Sequence, residues 1–145
     1  MKTTKDPQLT SELQDLYLEN KGWLADVYFL EDETRFINKL LNDYFLPAIK
    51  QNHLQDMQAV QKKLQTLVER RAHLKGLIEK NQQALEASMS APDYPAGLGL
   101  LEDSAQIQQE IRALLKADNS IKRDLFDLVE EVMHKEKTLH LLDKQ

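Results

Sequence analysis

Cysteine is absent from this chain. Its absence excludes disulfides and thiolate metal sites, and it fits a reducing compartment. Glycine and proline are scarce, four of each among 145 residues, too few for a loop-rich or β-turn-rich architecture. Also missing is any run near the roughly 18–20 apolar residues that cross a bilayer, so no membrane partner is expected. The start, Met1-Lys2-Thr3-Thr4-Lys5-Asp6-Pro7, has no apolar stretch behind its lysines and does not read as a secretory leader. The expected location is therefore cytoplasmic. No glycine-rich phosphate loop, nucleophile elbow or cysteine nucleophile occurs. The expectation is a protein that is not an enzyme and carries no cofactor.

What is present is 41% apolar and 30% charged, the size and composition of one domain, residues 1–145, with a core of its own. The net charge of −5 argues against sequence-independent nucleic-acid binding, which needs a basic face. The charge is uneven along the chain. Ser11 to Leu46 holds eight acids and three bases, Pro47 to Ser90 four acids and seven bases, and Leu100 to Gln145 ten acids and seven bases. A basic segment between two acidic ones suits side-by-side packing with opposite charges along the flanks. It also suits a basic face for an acidic partner, through Lys62, Lys63, Arg70 and Lys75.

Apolar residues recur with alternating spacings of three and four, the seam of helices in a bundle. The first segment has the rows Leu16, Trp23, Leu30, Ile37, Tyr44 and Leu13, Asn20, Val27, Thr34, Leu41. Asp6 before Pro7 suits a helix start, as does Ser11 with Gln14. The second segment has Met57, Leu64, Arg71, Ile78, Leu85 and Val60, Leu67, Leu74, Asn81. Its frame is shifted by two residues against the first. A break is therefore expected between Phe45 and Asn52, at Pro47, because the residue before proline disfavours helix. Asn52 with Gln55 can restart the helix. The third segment has Ile111, Asp118, Leu125, Val132, Leu139 and Ile107, Leu114, Ile121, Leu128, Lys135, Leu142. Its frame runs unbroken through the capping residues Asp118-Asn119-Ser120. The expected fold is all-α: an elongated, antiparallel, coiled-coil-like three-helix bundle with helices over 7–45, 52–90 and 100–142. Dimerisation is the route to a larger bundle.

Five core positions are polar: Asn20, Thr34, Arg71, Asn81 and Asp118. If the turns centre near residues 48 and 95, partner numbers sum to about 97 for the first two helices and about 190 for the last two. Arg71 then faces Asp118 on one side and Asp26 on the other, a structural ion-paired layer. Asn20 and Asn81 fall within a turn of each other, a second layer that sets register.

Seven of the nine aromatics lie between Tyr17 and Phe45. They exceed what the seam can hold. Tyr28, Phe29, Phe36 and Leu40 widen the apolar surface of the first helix, and Phe126 and Met133 add a stripe on the third. A large apolar patch marks a partner surface, and the commonest partner is a second copy. A homodimer through the first helix is expected, with a different protein as the other partner class.

One pattern points to metal. Glu131 and His134 form Glu-x-x-His, the spacing of ferritin-like dimetal bundles, and register brings His53 and Asp56 to the same end. A ferritin-like site needs two such motifs, and this chain has one. The turn-rich stretch Ala91 to Gly99, with Tyr94 between two prolines, reads as a linker. Leu13 to Leu41, with Leu-Glu-Asn-Lys-Gly-Trp-Leu at 18–24 and Phe-Leu-Glu-Asp-Glu-Thr-Arg-Phe at 29–36, resembles short uncharacterised helical proteins of Bacteroidota. That resemblance implies a helical fold and carries no activity or site. The reading is a helical-bundle protein that works through protein–protein contact, with a carboxylate–histidine metal-binding bundle as the alternative.

Overall fold

A computed structural model describes residues 7–48, 53–90 and 98–143, with side chains over 11–47, 53–90 and 99–134. Every described residue is helical. Helix α1 spans Pro7–Leu40, passes through one π-helical turn at Leu41–Phe45 and returns to α-helix at Leu46–Ala48. Helix α2 spans Leu54–Ser90 and α3 spans Leu98–Asp143. The three pack side by side as an all-α bundle. Interhelical partners run in opposite senses from α1 to α2 and from α2 to α3, so α1 and α3 are parallel. The Asp6 cap, the Asn52 restart, the Ala91–Gly97 linker with Tyr94, and the side chains of Lys135, Leu139 and Leu142 lie outside the described residues.

Alternating three-and-four spacing carries one apolar stripe along each helix. The stripes meet in a single core that includes Val27, Leu30, Leu64, Leu67, Leu74, Leu114 and Leu125. Each fully buried leucine contributes about 1.5–3 kcal/mol from removal of apolar surface from water. The capping trio at 118–120 does not interrupt α3, which is continuous over 46 residues. A seam that stays apolar on both sides of the trio outweighs its local preference for a helix start.

Pro47 does not end α1 where the sequence suggests. A proline inside a helix lacks a donor and its ring clashes with the carbonyl four residues back. The π turn over Leu41–Phe45 precedes Pro47, and the Leu46 N–H reaches the Leu41 carbonyl five residues back. This wider turn is a recurrent way to insert one residue into a helix. It also rotates the buried face by one position. Tyr44, expected in the core row, is exposed, while Phe45 and Leu46 pack against the core. With α1 ending at Ala48 and α2 beginning at Leu54, the connection centres later than residue 48, and the register of α1 on α2 moves by about one helical turn.

Candidate functional site

The bundle's polar groups sort by the flank of the helix that carries them. Arg71 enters the interior from α2, with its side chain only 12% exposed, and its Nη1 lies 3.5 Å from Glu31 Oε2. This corrects the expected pairing with Asp26 and Asp118. The later turn brings Glu31, one turn beyond Asp26, to the arginine. Glu31 also holds Arg35 at 3.2 Å. Asp26 is half-buried, and burial raises its carboxyl above the ordinary range.

Asp118 belongs to a separate cluster between α1 and α3. Lys122 Nζ lies 2.6 Å from Glu33 Oε2, 2.9 Å from Glu33 Oε1 and 3.2 Å from Asp118 Oδ2. Lys122 thereby brings the Glu33 and Asp118 carboxyls together, and each shifts the titration of the other. Burial, and then the neighbouring Glu33 carboxylate, push Asp118 up to about 6. The hydrogen bond from Asp118, with further help from Lys122, holds Glu33 below its ordinary value. The Lys122 ammonium is favoured above all by its hydrogen bond to Glu33. Sequence reading missed Glu33 and Lys122. The only signal was the spacing of four between Asp118 and Lys122 on one helix.

The amide layer forms as the spacing suggests and is larger than expected. Asn20 and Asn81 are hydrogen-bonded at 3.0 Å, and Ser104 of α3 joins them. Ser104 lies seven residues before Ile111, so extending that core row by one heptad would have found it.

The basic side chains of α2 are largely matched within the bundle. Lys63 pairs with Asp124 at 2.8 Å and Arg70 with Glu110 at 3.4 Å, both on α3. Lys75 sits over the Tyr28 ring at 5.0 Å. Tyr28 thereby belongs to the α2 side of α1, apart from the Phe29–Phe36 row.

The metal candidates do not converge. Asp56 and Glu131 line one shallow cleft between α2 and α3, together with Asp124 and Asp127. His53 is buried, His134 is exposed, and no three His, Asp or Glu side chains among the described residues are placed to hold a metal ion. His134 follows Val132 by two residues, which turns it away from the seam.

The apolar surplus remains. Phe29, Phe36, Phe126 and Met133 are 51%, 61%, 57% and 59% exposed. Leu40 is half-buried beside them. No helix among the described residues is long and apolar enough to cross a membrane. No family model matches the chain, and no curated protein or solved structure is similar to it.

Proposed function

We propose that this chain is a non-enzymatic, cytoplasmic helical-bundle protein that works through protein–protein contact and associates as a homodimer through α1. The observation that carries this reading is the exposure of Phe29 and Phe36 on α1 and of Phe126 and Met133 on α3. Core demand does not account for them, because the seam rows already fill the interior with leucine, isoleucine and valine. Exposed aromatics in a row cost solubility unless another surface covers them. Light scattering on the untagged protein at micromolar concentration tests the reading. The expected mass is two chains, and Phe29→Glu with Phe36→Glu should reduce it to one. A wild-type mass of one chain across that range refutes the homodimer.

The adaptor reading through a basic α2 has less support, since Lys63 and Arg70 already meet acids of α3.

A further inference from the structure

The flank of α2 that faces α3 is closed at two heights by ion pairs, Lys63 with Asp124 and Arg70 with Glu110. Beyond Arg70 the same flank opens into a cleft of about 310 Å³. Leu74 and Leu77 of α2 and Ile107 of α3 form its walls, and Ala84 leaves room because its side chain is a single methyl group. Leu74 and Ile107 are buried core residues, whereas Leu77 is 36% exposed. Asn81 of the amide layer also lines the cleft.

Asn81 brings an unused acceptor to this cleft. The residue is only 5% exposed. Its Nδ2 donates to Asn20 Oδ1 and to Ser104 Oγ, so its amide is held in one orientation by α1 and α3. Its Oδ1 accepts from no described residue, and it is not sealed in the interior as the Arg71 Nε is. The small uncovered part of Asn81 therefore includes this oxygen, and it opens into the cleft. An acceptor at an apolar site gains more from a donor than one in bulk water does. The mouth of the cleft carries Lys80 from α2 and Asp103 and Glu110 from α3. Glu110 already holds Arg70 at 3.4 Å. The remaining base and acid balance, so the mouth favours neither an anion nor a cation. The apolar walls exclude a charge from the inside of the cleft.

We infer that this cleft between α2 and α3 binds a small neutral arene of one or two fused rings, carrying an N–H or O–H donor directed at Asn81 Oδ1. The size fits such a ligand. An enclosed apolar cavity of about 150 Å³ takes up benzene, and this cleft has about twice that volume. The ring packs against Leu74, Leu77 and Ile107, and its donor satisfies the amide oxygen. Apolar walls with a few placed polar groups are the usual makeup of a small-molecule site. A ring without a donor would cover that oxygen and leave it unpaired. A carboxylate would set its charge against it. The site does not depend on the homodimer reading, since it uses none of Phe29, Phe36, Phe126 and Met133.

Indole, with its ring N–H as the donor, is the probe. Titrated into the isotopically labelled full chain, it should shift the resonances of Leu74, Ala84 and Ile107 in a saturable way. Benzofuran has the same shape with oxygen in place of the N–H. It should bind about five-fold more weakly, the size of one neutral hydrogen bond. Ala84→Phe, at a half-buried position, fills the cleft without touching the amide layer. It should weaken indole binding at least about ten-fold while keeping the helicity of wild type. If that variant does not fold, Leu77→Glu at the more exposed wall serves, because it sets a charge against the ring. Absence of saturable shifts up to the solubility limit of indole overturns the inference. Shifts centred on Phe29 and Phe36 show indole coating the apolar surface and also overturn it. Equal or tighter binding of benzofuran overturns the role of Asn81 and, with it, the ligand class. Undiminished indole binding in the variants places the ligand outside the cleft and overturns the site.

Discussion

Asn81 donates from its Nδ2 to Asn20 Oδ1 at 3.0 Å, and the same nitrogen reaches Ser104 Oγ at 3.1 Å. Asn20 in turn donates to the Ile78 carbonyl at 3.1 Å and to Gln82 Oε1 at 2.8 Å. One polar layer therefore ties all three helices at a single height. Leucine layers above and below tolerate a slide of one turn, because leucine meets leucine either way. The amide layer does not, since sliding strands buried donors without acceptors.

Asn81→Ala is expected to cost about 1–3 kcal/mol, because it leaves the buried Asn20 Oδ1 and Ser104 Oγ without their donor. Urea denaturation measures this. Replacing both asparagines with leucine should recover stability and lose the unique register, visible as doubled amide resonances. A double variant with one sharp set of resonances would sink the register role.

Arg71 has a gentler expected cost than a fully buried ion pair. Its partner Glu31 is 31% exposed and is also held by Arg35. Arg71→Ala should destabilise by about 1–2 kcal/mol, mostly through the lost packing of the arginine stem. The Arg71 Nε is buried without a hydrogen-bond partner. Arg71→Met, which keeps the stem and removes the charge, is expected to be neutral or stabilising in a thermal melt. A loss larger than that of the alanine variant would contradict this account.

The Glu33–Asp118 pair gives stability a pH dependence of known sign. Asp118 is raised to about 6, so the folded state binds its proton more tightly than the unfolded state does. Its contribution is complete below its ordinary value and is lost as pH rises through about 6. Glu33 is held below its ordinary value and acts oppositely, at more acid pH. Between about pH 4 and pH 7 the pair should cost about 1–3 kcal/mol of stability. Asp118→Asn keeps a donor toward Glu33 and cannot ionise. It should be more stable than wild type at pH 7 and show a flatter profile. Parallel profiles from the two proteins would show that Asp118 is not the group whose titration sets this dependence.

Gly76 lies inside α2, and a Cβ there meets nothing within 4 Å. Gly76→Ala is expected to stabilise by about 0.5–1 kcal/mol, chiefly by restricting the unfolded chain. A rise in melting temperature with unchanged oligomeric mass is the check.

Helix count, the apolar seam and the meeting of Asn20 with Asn81 were legible in the sequence. They depend on periodicity, which a linear pattern records directly. The excess of aromatics on α1 was legible for the same reason, since Phe29 and Phe36 miss both core rows. The partners of Arg71 and Asp118 were not. Arg71 meets Glu31 because α1 accommodates Pro47 with a π turn and continues to Ala48, and that one inserted residue and later turn move the register. Spacing along one helix says nothing about the height of its neighbour. Nor does it say that Glu33 and Lys122 meet between α1 and α3. The sequence by itself determined which face of each helix is buried. Tertiary packing decided which residues share a layer, because a turn's length and a helix's local winding set the offset between helices.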